Sequence, residues 1–595
     1  MSLKGKAKSL TADVRVSERF DGVIVTPRQF HEAHTLTIAL RESMRPISIG
    51  RRADGAWLKT FDSDALLAAS ESLDLRWNVE ARRFAENRAR IKRIHHKLRR
   101  EVLHILDGGL TAAQPHLTNI RDIEVLDPHQ RVNVAAMTIP ESFGLCVFDE
   151  QGAGKTVTFI YAFDVLVARD LADFALIIAP KSMIAEWPRD FAKFKTDLYS
   201  VAVLTGSRAD KLATLAKGAD VFVTNFETAV SFEDELKVVL RRLRGRAVLA
   251  VDESFFAKSL DAQRTRSIRR LREWCGRAFV LCGTPAPNAP HDLVQQFNIV
   301  DFGYTFDGIT IPKDRIAAQP VIREAINNRG LYVRHLKSQV LPHLPAKRFH
   351  RLTVTFQPKQ RELYLAAVQE VVTDLTAIDD NAFLHQIGSF LARRSALLQI
   401  CSNPVGVVKG YTEVPAKLGA LDSLLHDLVI LKKEKVVLWS FFTASVDAIV
   451  RRYSALGPVR YDGSVSDVAA RREAVRRFQE DADALLFVGN PAAAGAGLTL
   501  HRARFAIYES MSNQAAHYLQ SIDRIHRRGQ TRDPEYIILL CDASIEVDEY
   551  DRLLVKERAA QELLGDDIQE PVTRESMLNE FLASIKNLQE HRADT

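Results

Sequence analysis

The sequence predicts an α/β protein of two tandem parallel-sheet lobes, with inserted helical protrusions and an N-terminal accessory domain. Three observations predict it. Apolar runs of strand length alternate with helical patterns twice along the chain, as in parallel strands covered by helices on both faces. Chemistry-bearing residues fall at the carboxyl ends of those runs, where open α/β sheets hold their ligands. The 595 residues exceed what one hydrophobic core accommodates, so the chain divides into domains.

The elements follow in order. Residues 1–118 form a region of their own, a candidate for DNA or partner recognition. Its short apolar runs Gly22 to Thr26 and Thr35 to Leu40 read as strands. A long helical pattern follows, in which Phe84, Ile91, Ile94, Leu98, Val102 and Ile105 recur at intervals of three, four or their sum and mark one buried face. Its other face carries Arg82, Arg83, Arg88, Arg90, Lys92, Arg93, Lys97, Arg99 and Arg100. That face reads as a solvated basic surface or as one that tracks phosphates. The first lobe, 119–300, has strand-length runs at Phe143 to Phe148, Ala175 to Ala179, Val221 to Thr224, Ala247 to Val251 and Ala278 to Cys282. A less regular helical insertion and linker spans 301–415. The second lobe, 416–565, has runs at Val436 to Trp439, Leu485 to Val488, Phe505 to Tyr508 and Tyr536 to Leu540. Residues 566–595 read as a helical tail.

Composition narrows the function classes. Hydrophobic residues make up 46% and charged residues 26%, ordinary for a soluble globular protein. No apolar run is long enough for a bilayer, and Met-Ser-Leu-Lys-Gly-Lys lacks a secretory apolar stretch, so no membrane partner is expected. The five cysteines, Cys146, Cys275, Cys282, Cys401 and Cys541, include no Cys-x-x-Cys pair. That speaks against zinc and fits a reducing cytoplasm. A net charge of +6 permits a nucleic-acid partner without demonstrating one.

The run Phe143 to Phe148 leads into Asp149-Glu-Gln-Gly-Ala-Gly-Lys-Thr156, and a helix follows. This is the context of a phosphate loop. Gly152 and Gly154 let backbone N–H groups approach phosphates, and a helix N-terminus adds favourable dipole. Lys155 reaches the β- and γ-phosphates of ATP, and Thr156 places its hydroxyl on Mg²⁺. The usual first glycine is Asp149 here. The run Ala247 to Val251 ends in Asp252, a second Mg²⁺ group, and Glu253, which polarises the attacking water. Far downstream, Gln520 to Gln530 carries Arg524, Arg527 and Arg528. The segment reads as a helix, and Arg524 and Arg527, three apart, share one face of it, a pairing suited to γ-phosphate charge.

Further motifs stand in order between these. They are Leu126-Asp-Pro-His-Gln130, Ile177-Ile-Ala-Pro-Lys-Ser182 with Glu186-Trp187, Val223 to Thr228, Leu281 to Asn288, Arg334 to Pro345, Leu397 to Pro404, Tyr461 to Ser464 and Gly495 to Leu500. With them the stretch from Leu126 to Lys556 resembles the Swi/Snf-type family of superfamily-two helicase-like ATPases, in a compact form. Its arginine- and alanine-rich composition fits a bacterial or phage source. Arg51 to Trp57 resembles the recognition region of the HARP-like annealing-helicase branch. The resemblance implies two RecA-like lobes that close on Mg·ATP and translocate on double-stranded DNA, forked or branched DNA included, to remodel DNA or protein–DNA complexes. DNA repair is one such setting. By the resemblance Gln130 and Gln520 join the nucleotide site. Lys181, Ser182, Thr224, Ser464 and Thr499 become contacts to the DNA backbone, which carry no base reading. Two departures are Phe255, where the family's metal motif has histidine, and Ser512 to Ala515, where it has Trp-Asn-Pro. An ATP-gated DNA clamp, or a motor subunit of a larger repair or anti-phage assembly with a separate nuclease, is the alternative.

Overall fold

The computed structural model describes residues 11–18, 20, 22–27, 48–51, 57–69, 74–118, 120–286, 289–341, 343–465, 468–493, 498–511 and 515–562. The expected strand Thr35 to Leu40 and the tail 566–595 lie outside them. The chain forms two compact units. One comprises Met1–Ala286 with Pro290–Leu336, and the other is chiefly Lys337–Thr595. The N-terminal region therefore belongs to the first unit by its contacts, and the division within 301–415 falls between Leu336 and Lys337. Among the described residues, no helix is long and apolar enough to cross a membrane.

The first unit opens with a mixed sheet of β1 (Thr11–Val16), β2 (Val23–Pro27), β3 (Ser48–Arg51), β4 (Trp57–Phe61) and β5 (Asp74–Trp77), in the order β3-β4-β2-β1-β5. Helices α1 (Ser63–Ala69) and α2 (Val79–Ala113) flank β5 in sequence. Asn78 starts α2 by accepting the Ala81 N–H at 2.6 Å. Phe84, Ile91, Leu98, Val102 and Ile105 are buried, as the periodicity requires.

The opposite face of α2 corrects the reading of a continuous phosphate-tracking surface. Arg88 is buried and paired with Asp307 at 2.8 Å and Asp64 at 3.4 Å. Arg83 stacks on Trp274 at 4.3 Å. Arg90 donates to the Gly276 carbonyl at 3.5 Å, and Arg99 to that of Asn327. Lys92 pairs with Asp64 at 3.0 Å. These cations dock the helix onto the lobe, because a guanidinium has donors enough to enter an interface and meet oxygens there. Arg93, His96, Arg100 and His104 stay exposed along one strip.

The lobe itself is a seven-stranded sheet of β6 (Gly144–Val147), β7 (Phe174–Ala179), β8 (Val201–Val203), β9 (Val221–Asn225), β10 (Ala247–Asp252), β11 (Arg277–Leu281) and β12 (Tyr332–Val333). Its order is β12-β6-β11-β10-β7-β9-β8, and every pair is parallel. β6, β7, β10 and β11 are wholly buried, the property that makes such strands legible as apolar runs. Helices α3 (Pro128–Met137) and α4 (Lys155–Ala168) precede and follow β6.

In the second unit β13 (Arg348–Val354), β14 (Val436–Trp439), β15 (Val459–Tyr461), β16 (Leu486–Gly489), β17 (Phe505–Tyr508) and β18 (Glu535–Cys541) form a parallel sheet in the order β13-β18-β17-β14-β16-β15. Val437 and Trp439 of β14 pack in one core layer, Val436 and Leu438 in the other. β13 lies inside the stretch read as helical. It is an edge strand, exposed at six of seven positions, so no apolar run announces it. The expected helices follow as α5 (Pro358–Ala377) and α6 (Asp380–Ser402). All five cysteines are buried and free.

One buried cation stitches the first lobe together. Arg272 donates to the carbonyls of Phe143, Ile299 and Val300 at 3.0 Å and of Cys275 at 2.5 Å. Burial pushes it down to about 9, still charged at neutral pH. Arg272→Met removes one donor from each of four carbonyls. It is expected to lower the first unit's unfolding free energy by roughly 3–5 kcal/mol, read as a lower urea midpoint for that unit's transition.

Candidate functional site

Asp149, where a phosphate loop usually has glycine, is fully buried. It accepts hydrogen bonds from Asn133 Nδ2 at 2.5 Å and from the backbone N–H and Nδ1 of His335, both at 2.9 Å. The carboxylate joins α3, the loop and the chain leaving β12. Gly152 and Gly154 have φ of +89° and +88°, a region that favours glycine. A Cβ on Gly154 would lie 2.1 Å from Gln130 Nε2. Gln130 caps its own helix, accepting the Asp127 N–H at 3.0 Å, and donates to the Ala153 carbonyl at 3.0 Å. Its amide thus braces the loop. The N-terminus of α4 begins at Lys155, with Thr156 half-buried in its first turn. Lys155 Nζ rests on the Asp149 carbonyl at 2.9 Å and on Gln151 Oε1 at 3.4 Å.

Asp252 closes β10, and Glu253 follows with φ of +49°, in the left-handed region. A non-glycine residue there stores roughly 1–3 kcal/mol of strain, and such residues cluster at functional sites. The Glu253 N–H donates to Asp252 Oδ1 at 3.0 Å, and Gln151 Nε2 donates to Glu253 Oε1 at 3.1 Å. Asp252 Oδ2 and Glu253 Oε2 are buried with no donor in close hydrogen-bonding geometry, although the Trp187 indole N–H favours the Asp252 charge. Burial first, and then the Glu253 charge, push Asp252 up to about 7. Two adjacent buried carboxylates beside a lysine are a donor set suited to a cation and a polarised water.

Gln151 was not singled out by sequence. It touches Lys155 and Glu253, and a Cβ on Gly283 would come within 2.6 Å of its Oε1. It joins the loop, the carboxylate pair and the Leu281 to Asn288 motif, whose Pro287 and Asn288 lie outside the described residues. Phe255 stacks on Phe256 at 4.5 Å, and Phe256 meets Phe226 at 5.5 Å, so an aromatic stack stands where the usual histidine would hydrogen-bond. Trp187 is 1% exposed, edge-on to Phe159 at 5.7 Å, and packs within the lobe.

In the second unit α7 (Ala515–Ile522) carries buried Gln520 and then stops. Residues 523–529 form turns and bends, so the expectation that Arg524 and Arg527 share a helix face is corrected. Arg524 is fully buried, with Nη1 donating to the Leu498 carbonyl at 3.3 Å. Its own carbonyl accepts the Leu500 N–H at 2.8 Å. Arg527 Nη1 donates to Thr499 Oγ1 at 3.1 Å. The structure therefore brings Thr499 to the arginine turn.

Of the other residues read as DNA contacts, Lys181 and Ser182 are exposed beyond β7. Ser464 donates to Asp462 at 2.5 Å. Thr224 is wholly buried on β9. Residues 52–56, 494–497 and 512–514 of three motifs lie outside the described residues. Cys401, Cys541 and Glu546 bring ligand atoms within 4.8 Å of one another, and Lys417 already neutralises Glu546 at 2.6 Å.

Because Asp252 holds its proton more tightly folded than unfolded, its contribution to stability falls as pH rises from about 4 through about 7. In the nucleotide-free protein Asp252→Asn is therefore expected to stabilise the first unit at pH 8, by on the order of 2–4 kcal/mol. At pH 5 the gain is much smaller. Thermal melts at the two pH values check this, and equal effects at both would refute it.

Comparison with known proteins agrees with this anatomy. A model of the SNF2-related domain matches residues 71–405, and one of the helicase conserved C-terminal domain matches 416–529. The chain is 23% identical to ATP-dependent helicase FUN30 of Saccharomyces cerevisiae, over 73% of this chain and 46% of that protein. It is 28% identical to the putative ATP-dependent helicase/translocase YwqA of Bacillus subtilis, over 68% and 45%. It is 24% identical to the DNA annealing helicase and endonuclease ZRANB3 of Homo sapiens, over 68% and 37%. The chain thus spans less than half the length of these relatives. A Sulfolobus solfataricus SWI2/SNF2 ATPase core in complex with dsDNA aligns at 19% identity and a TM-score of 0.34, over 75% of this chain and 97% of that one. With the first model alone covering more than half of its residues, the chain belongs to the SNF2-related family.

Proposed function

We propose that this protein is a DNA-dependent ATPase that hydrolyses Mg·ATP to translocate on double-stranded DNA and to remodel DNA or protein–DNA complexes. The observation that carries the reading is the buried carboxylate pair Asp252 and Glu253, linked through Gln151 to Lys155 of the glycine-bearing loop. The family motifs of the second unit support the DNA half of it.

In this reading the loop N–H groups and Lys155 bind the phosphates, with Lys155 leaving the carbonyls it now occupies. Thr156 and Asp252 would hold Mg²⁺, which would supply neutralisation of phosphate charge. Glu253, oriented through one oxygen by Gln151, uses the other to position water. Arg524 and Arg527 stabilise charge on the transferred group. Thr499 ties Arg527 to the loop of a motif assigned to DNA, so strand contact and arginine position are linked. Lys181 and Ser182 contact the DNA backbone, and Arg93 and Arg100 on α2 extend that footprint.

Steady-state hydrolysis with no nucleic acid, single-stranded, duplex and forked DNA tests the reading. Duplex is expected to stimulate turnover strongly, and Glu253→Gln to lower kcat by about 10²-fold or more while retaining ATP binding. A further gain with forks supports an annealing-type substrate. Turnover without displacement on tethered duplex supports a clamp instead, and turnover indifferent to DNA sinks the motor reading.

The footprint has its own signature. Each lost phosphate contact lowers the slope of log K against log salt by about 0.9. Arg93→Gln with Arg100→Gln is therefore expected to lower it by about 1.8, and an unchanged slope removes α2 from the footprint.

A further inference from the structure

The turn bearing Arg524 and Arg527 is gripped by the chain that enters the second unit. Asp523, next to Arg524, is 5% exposed and ion-paired with two lysines, Lys337 at 2.7 Å and Lys347 at 3.3 Å. Lys337 is itself 3% exposed and also donates to the His526 carbonyl at 3.2 Å. His526 Nε2 donates to the Pro345 carbonyl at 2.9 Å. Burial and the two lysines push His526 down to about 4, so the ring is neutral at pH 7 and its proton sits on the nitrogen that faces a carbonyl. Four polar contacts thus fix residues 523–526 to residues 337–347.

A turn beyond the end of a helix has no ladder of its own to set its orientation. Ile525, wholly buried, anchors this one in the core, the Leu498 carbonyl and the Leu500 N–H hold Arg524, and the lysines hold its neighbours Asp523 and His526. A buried ion pair is a poor source of net stability, since its desolvation offsets most of its attraction, and apolar residues would fill the space as well. What it does supply is a defined geometry. Two cations converging on the one carboxylate that precedes Arg524 fix the direction in which the turn presents its arginines.

We propose that Lys337 and Lys347, acting through Asp523, are positioning residues for Arg524 and Arg527 in ATP hydrolysis. The proposal rests on the arginine roles given above. The lysines touch no nucleotide. They set where the arginines stand when the transferred phosphoryl charge develops, so their loss acts on turnover and spares binding.

The test is steady-state ATP hydrolysis by the full chain at saturating duplex DNA, each variant first checked for a native thermal transition. Lys337→Met and Asp523→Asn are each expected to lower kcat by roughly 10–100-fold, the penalty of misplacing a catalytic group by about an ångström. KM for ATP stays within about twofold. Lys337→Met with Asp523→Asn is expected to be no worse than either alone, and Lys337→Arg to restore most of kcat. If Lys337→Met fails to fold, Lys347→Met, at a more exposed position, gives the same readout. An unchanged kcat in Arg524→Gln and Arg527→Gln overturns the arginine roles and the proposal with them. A reduced kcat in those two beside an unchanged one in folded Lys337→Met or Lys347→Met overturns the positioning role alone. Additive losses in the double variant, or losses confined to KM, overturn it as well.

Discussion

A single buried carboxylate holds the loop from Asp149 to Thr156 in shape. Asp149 takes two hydrogen bonds from His335 and one from Asn133, and its own carbonyl seats the Lys155 ammonium. It thereby fixes the loop against α3 on one side and against the chain beyond edge strand β12 on the other. With the loop so held, Gly154 can approach Gln130 as closely as only glycine allows, and Gln151 can reach Glu253. A buried carboxylate with both oxygens bound to donors is rigid, which suits a tightly wound glycine-bearing loop.

The buried charges named above fall into two kinds. Arg88, Arg272, Lys417 and Asp523 lie among partners that satisfy them, and they join segments distant in sequence. Asp252 and Glu253 each keep one oxygen without a donor in close hydrogen-bonding geometry, and Glu253 adds backbone strain.

Much of this was legible in the sequence, for identifiable physical reasons. Strands buried on both faces read as apolar runs, so β6, β7, β10, β11, β14, β16 and β17 were found near their observed bounds. β13 was not, because an edge strand with Arg348, His350 and Arg351 exposed has no apolar signature. The loop and the carboxylate pair could be placed from spacing, because they sit at strand ends. Gln151 could not, since its role depends on Glu253, about a hundred positions away. Periodicity gave the buried face of α2 correctly but could not say that Arg88 would enter the interface, because its partners Asp64 and Asp307 come from separate elements. The spacing of Arg524 and Arg527 suggested a helix, yet Asp523 and its lysines hold those residues in a turn.

The burial of every thiol has a practical corollary. Cys146, Cys275 and Cys282 lie in the first unit, Cys401 and Cys541 in the second. Burial raises the thiols of Cys146, Cys275, Cys282 and Cys401, so the folded chain presents scarcely any reactive thiolate. Alkylation must then wait for local or global opening. Each unit carries its own internal chronometer, and peptide-resolved labelling rates distinguish breathing of one unit from breathing of the other without any engineered probe.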